Sequence, residues 1–217
     1  MNEVQPGYEN AFGALRQFIR RKPGGERCEL CSAEVATDHP HLIEPGRRKL
    51  VCACEACAIL FSGMGTKYKR VPKRVLALAD FSLSDGQWES LMVPINMAFF
   101  YRSTPDERMV ALYPSPAGAT ESLLPLETWK DIEDSNPVLR EMEADVEALL
   151  VNRIAHARGV SPAEYYLLPI DECFKLVGLI RANWRGLSGG AEVWKQIGEF
   201  FGGLKTRATG VREQANA

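Results

Sequence analysis

The chain has 217 residues, a formal net charge of −2, 46% hydrophobic residues and 25% charged ones. That balance suits a folded protein with one sizeable core and a small module, and no apolar run reaches the ~18 residues of a membrane-spanning helix. The start "MNEVQPGYEN" lacks the basic and apolar regions of a secretory signal, so a cytoplasmic protein with reduced cysteines is expected, and a disulfide framework is not.

Charge is unevenly spread. Residues 1–75 hold thirteen Lys/Arg against eight Asp/Glu, and the remainder of the chain is correspondingly acidic. "FIRRK", "GRRK" and "KYKRVPKR" supply the basic half. A nucleic-acid protein is usually basic more decisively, so a solvated basic face on a small module is the first reading.

Residues 10–22 place Phe12, Leu15, Phe18 and Ile19 at helical spacing and predict a short amphipathic helix, ended by Pro23-Gly24-Gly25. A cysteine-rich module follows over residues 26–70. "KRVLALADF" then reads as a strand and "SLSDGQWESLM" as a capped short helix. "VPINMAFFYRS" and "ERMVALYPSP" flank the turn "TPD" as a hairpin, apolar on nearly every residue and therefore expected inside a sheet covered on both faces.

Asn136-Pro137 has the form of a helix start, and Leu139, Met142, Val146, Leu149, Leu150 and Ile154 then trace one apolar helical face up to Gly159. "EYYLLPI" reads as a strand, Asp171 as the cap of the helix "ECFKLVGLIRANW", and "AEVWKQIGEFFGGL" as the last amphipathic helix. The division is a helix at 1–25, the cysteine module at 26–70, a domain at 71–205 and a flexible tail at 206–217. The fold class is α+β: a treble-clef-like or zinc-ribbon-like module packed on a mixed domain with a mainly antiparallel sheet.

The module carries the chemistry. "RCELCSAEVATDHPHLIEPGRRKLVCACEACAILF" holds five of the six cysteines and two of the three histidines. Cys28-x-x-Cys31 and Cys54-x-x-Cys57 are two short pairs about twenty residues apart, the spacing of a tetrahedral four-thiolate zinc site. Cys54 and Cys57 fall in the first turn of a helix, where thiolate is favoured. Cys52, at the end of the strand "KLVC", is a substitute for Cys54, an extra labile thiol or a buried one. Iron, singly or as an Fe–S cluster, uses the same four thiolates, although the Cys-Pro and Gly neighbours of such sites are missing.

"TDHPHLIE" has the Asp-His of a His-Asn-His nuclease at Asp38-His39, but no Asn or His follows Cys57 in its helix, so a second catalytic ligand is lacking. His39 and His41 share one side of a strand and are expected either to donate hydrogen bonds to the zinc-binding sulfurs or to cap the module's core. His156, beside Arg158, reads as the partner of a helix C-terminus.

Elsewhere, Glu141, Glu143, Asp145 and Glu147 have no partner nucleophile and read as a solvated acidic face. "YPSPAGATES", with Ser115 and Thr120, reads as a plain loop, and Ser188, Gly189 and Gly190 beside Arg185 as tight helix packing or an anion site. Cys173 is expected in the core. No nucleophile–base pair stands out, so catalysis is not the expected role.

"RCELC", "HPHLIE", "LVCACEACAILF", "YPSPAGATES", "DVEALLVNR" and the long "LPIDECFKLVGLIRANWRGLSGGAEVWKQIGEFF" together resemble an uncharacterised bacterial family encoded beside nickel–iron hydrogenase genes. The likeness runs from about residue 27 to 204. It implies a genomic setting, hydrogenase assembly or electron transfer, and carries over no catalytic residue. Joined to the zinc site read from the cysteine spacing, the expectation is a zinc-binding accessory protein with a hydrogenase subunit or maturation factor as partner. An iron electron-transfer protein and a nucleic-acid-binding finger are the alternatives.

Overall fold

Period-two patterning, more than helical periodicity, organises the middle of this chain. The computed structural model describes residues 25–63, 65–186 and 188–211. The helix expected at residues 10–22 lies outside them, as do residues 212–217. The architecture is α+β, with the cysteine module built on its own small sheet.

The module opens with a tight turn at Cys28–Cys31, pinned where the Ser32 amide donates to the Cys28 carbonyl at 2.8 Å. Next comes the antiparallel hairpin β1 (His41–Glu44) and β2 (Lys49–Cys52), joined by a turn through Pro45–Arg47. Arg48 closes that turn in the left-handed region. Helix α1 (Glu55–Phe61) follows, and β3 (Lys69–Arg70) returns to pair with β1, giving the order β2-β1-β3. Knuckle, hairpin and helix occur in treble-clef order.

β1 alternates sharply in what it faces. Leu42 and Val51 join Cys28, Ala53, Cys57 and Ala58 in the module's own core. Ile43, with Leu50 beside it, packs instead into the main core of the domain. The small sheet is thus a partition, with sulfur on one side and the large domain on the other.

The large sheet runs β10-β4-β9-β8-β5-β6-β7. β4 (Leu76–Leu78) pairs antiparallel with β9 (Glu164–Pro169), and β9 with β8 (Glu147–Asn152). β8 pairs with β5 (Met97–Ser103), and the meander ends through β6 (Arg108–Ser115) and β7 (Gly118–Ser122). Alternation divides the core in two. Phe99 and Leu150 face helices α4 (Ile170–Asn183) and α5 (Gly190–Arg207), while Phe100 and Leu149 face α2 (Asp85–Ser90) and α3 (Leu126–Ser135). Phe99 and Phe100 are both fully buried, each contributing about 2–3 kcal/mol of transfer free energy. Ser84 and Gln87 form the capping box that starts α2.

Four expectations are corrected. Residues after Pro137 form only a short 3-10 turn, Pro137–Glu141, and the supposed helix becomes the central strand β8. "VEALLV" is buried on both faces, a pattern that a buried strand and a helix share at this length. Asn136 makes no side-chain N-cap bond; its amide instead closes the end of the preceding helix, Leu126–Ser135, by donating to the Ile132 carbonyl, and also donates to the Ser82 carbonyl. The "YPSPAGATES" segment is a hairpin, not a loop, with Ser115 bonded to the Gly118 carbonyl and to Thr120 across its turn. The tail is not free from residue 206: α5 runs to Arg207, and β10 (Thr209–Val211) pairs parallel with β4.

The acidic stretch also departs from expectation. Glu141 and Glu143 are exposed, but Asp145 and Glu147 are buried. Asp145 receives Lys69 at 2.6 Å and the Thr104 hydroxyl at 2.6 Å, and Glu147 is gripped by Arg74 through both oxygens. Carboxylates in an interior need such partners. Both cations come from the basic segment that leaves the module, so these pairs fasten module to domain.

Candidate metal centre

Cys28 and Cys31 come from the knuckle, where backbone amides turn back on the chain. Cys54 is the residue that precedes α1, and Cys57 lies in its first turn, so one turn of helix aims both sulfurs the same way. The four sulfurs lie within 4.8 Å of one another. Cys31 Sγ and Cys54 Sγ are 3.6 Å apart. A disulfide requires about 2.05 Å, whereas two thiolates on one tetrahedral zinc, with bonds of about 2.3 Å, stand about 3.8 Å apart. The spacing is that of ligands to a single ion.

Electrostatics within the group are uneven. Burial disfavours the Cys28 thiolate, but the backbone amides of Cys54, Cys31 and Leu30 outweigh it and bring the thiol down to about 6. Burial and contacts with the Cys54, Cys31 and Cys28 sulfurs push Cys57 up to about 12. Four close thiols cannot all ionise together without a cation among them. Cys28 and Cys57 are buried while Cys31 is exposed, so the group sits at the module's rim.

Cys52 is not in this group. Its sulfur collects with His39 and His41, the three donor atoms lying within 4.8 Å of one another. The histidines do not support the four sulfurs either. His39 Nδ1 donates to the Ala36 carbonyl at 2.8 Å, and His41 Nδ1 donates to Asp171 Oδ2 at 2.6 Å. Strand alternation explains the difference: Leu42 faces the sulfur side of the partition, so His41 faces the domain side.

The remaining sequence candidates fall elsewhere. Asp171 lies inside the first turn of α4, where its Oδ1 accepts from the Glu172 amide at 2.9 Å while its Oδ2 receives His41. His156 sits in the short turn His156–Arg158 and reaches Asp85, the first residue of α2, at 3.2 Å, so its partner is a carboxylate at a helix N-terminus and not a helix C-terminus. Cys173 is fully buried in the core, and burial raises its thiol well above the usual range. At Gly189 an added Cβ would lie 2.8 Å from Val193 and 3.1 Å from the Trp184 ring, so packing accounts for this glycine. The Arg185 guanidinium donates to the Ala182 and Trp184 carbonyls. Asp171 bonds a first-turn amide, as its place at the helix start suggests, and the role that sequence reasoning missed is its contact with His41.

The fold and this geometry define a class: a mixed α+β protein with a four-cysteine group able to hold a metal ion. The chain belongs to the family of unknown function DUF5947, whose model matches residues 27–208. The match starts one residue before Cys28 and spans module and domain together. No curated protein and no solved structure matches the chain. Among the described residues, no helix is long and apolar enough to cross a membrane.

Proposed function

We propose that this chain is a cytoplasmic, zinc-binding accessory protein that acts by docking on a protein partner, a nickel–iron hydrogenase subunit or maturation factor. The observation that carries the zinc reading is the convergence of Cys28, Cys31, Cys54 and Cys57 within 4.8 Å. A cluster with sulfide between its irons would hold the thiolates further apart, which favours a single ion. The module's own core is only six buried residues, four of them cysteine or alanine beside Leu42 and Val51, so a metal would supply stability that packing cannot.

The docking reading has a surface to support it. Ile59, Leu60 and Phe61 end the helix that carries Cys57 and are 65%, 71% and 44% exposed. Three consecutive exposed apolar residues on a metal-braced helix suit a protein interface. The hydrogenase partner rests on the family resemblance alone. Nucleic-acid binding has less support, because Arg48, Lys69, Arg70, Lys73 and Arg74 each pair with a carboxylate.

Deleting the gene in a host with a nickel–iron hydrogenase tests the partner directly. Hydrogenase activity or subunit processing should fall, and a Leu60→Asp copy should not restore it while the wild-type copy does. Unchanged hydrogenase activity in the deletion strain overturns the partner assignment.

A further inference from the structure

We propose that His39, His41 and Cys52 form a second metal site, separate from the four-cysteine group, for a borderline divalent transition cation such as zinc. The cross-strand register builds it. His41 in β1 stands directly opposite Cys52 in β2, and His39 lies two residues before His41, so all three share one face of the partition. Their donor atoms lie within 4.8 Å of one another.

Hydrogen bonding has already selected the donor nitrogens. A carbonyl and a carboxylate only accept, so the Nδ1 of each ring carries the proton: His39 towards Ala36 at 2.8 Å, with Glu26 at 3.5 Å, and His41 towards Asp171 at 2.6 Å. Each Nε2 is therefore left with its lone pair. That of His39 is buried, on a side chain only 5% exposed, and has no hydrogen-bond partner. A buried imidazole nitrogen without a partner is costly, and a cation would satisfy it. The Asp171–His41 pair has the form of the carboxylate–histidine–metal arrangement that fixes ring orientation in metal sites.

Two imidazoles and one thiolate suit zinc, cobalt, nickel or copper in preference to magnesium or calcium. Three protein ligands also leave a fourth position for water, unlike the closed four-sulfur site. All three residues line a cleft of about 1160 Å³ between module and domain, whose walls also include Lys73, Phe174 and Arg207, so solvent and small ligands have a route to the site. The second ion is consequently the exchangeable one, and the four-sulfur ion the structural one.

Cobalt is the probe. Full-length protein, purified without oxygen and carrying one tightly held zinc, should bind one further equivalent of Co²⁺ with thiolate-to-cobalt absorption and tetrahedral visible bands. Cys52→Ser should abolish the thiolate band, and His39→Ala should remove the second equivalent, both without loss of the first zinc. Because His39 is buried, Asp171→Asn gives a variant outside the ligand set; the second equivalent should then bind at least tenfold more weakly. Zinc-loaded wild-type protein that takes up no cobalt, or takes it up with a thiolate band that survives Cys52→Ser, overturns the proposal. Loss of the first zinc in wild-type protein would instead count against the four-cysteine reading.

Discussion

Cys52 and Cys54 stand two residues apart and point into different ligand groups. Cys54 converges with Cys28, Cys31 and Cys57, whereas Cys52 turns to His39 and His41 on the domain side of the small sheet. Ala53 between them is fully buried, and its amide donates to the Pro40 carbonyl at 3.0 Å, which fixes the chain as it crosses the partition. The two serine substitutions are therefore expected to separate. Cys54→Ser should lose the tightly held zinc and loosen the module, seen as fast amide exchange across β1 and β2. Cys52→Ser should keep both. Equal zinc loss in the two variants would contradict the division.

The pair of Arg74 and Glu147 gives a stability prediction. Glu147 is fully buried, so Arg74→Met strands a carboxylate in the core and should cost roughly 3 kcal/mol, the low end for such pairs because Arg74 is partly exposed. Urea denaturation should show this, and the double variant Arg74→Met/Glu147→Leu should recover most of it. A single variant as stable as wild type would remove this pair as a fastening between module and domain.

Gly189 precedes α5 with φ of +86° and no room for a side chain. Gly189→Ala combines left-handed strain with contact against Val193 and Trp184, and should cost about 2 kcal/mol. Thermal unfolding measures it. Gly46, which has open space around it, provides the control, where alanine should change little.

Arg48 links the module's turn to Asp106 at 2.7 Å and Glu121 at 2.8 Å, and holds both carboxyls below their ordinary range. A carboxyl lowered on folding stabilises above its unfolded pKa and loses that contribution as pH falls through the folded value. The destabilisation caused by Arg48→Met should thus be complete at pH 7, begin to shrink below about pH 4.5, and keep shrinking as the pH falls further. A variant-to-wild-type difference that is flat over this range would show that the link is not electrostatic.

Much of this arrangement is legible in the residues. Two C-x-x-C pairs mark a thiolate site because few other roles place four cysteines so, and the Ser84–Gln87 capping box and the "TPD" hairpin carry their own local chemistry. β8 was not legible. An apolar run buried on two faces looks like a helix until partners on both sides are known, and although β9 follows closely, β5 lies well upstream with a hairpin and a helix between. Asp145 and Glu147 were misread for the same reason, since their cations sit more than seventy residues upstream. The His39–His41–Cys52 group did leave a signal: a hairpin turning on Pro45–Arg48 brings His41 opposite Cys52 by counting outward from the turn. Asp171, 130 residues from His41, left none.

The most direct test of the central claim is the metal content of full-length protein purified without oxygen and passed over a chelating resin, read alongside its visible spectrum. One zinc per chain that resists the resin, with no visible absorption, is the predicted result. Iron with a thiolate charge-transfer band, or four freely titrating thiols and no retained metal, would contradict it.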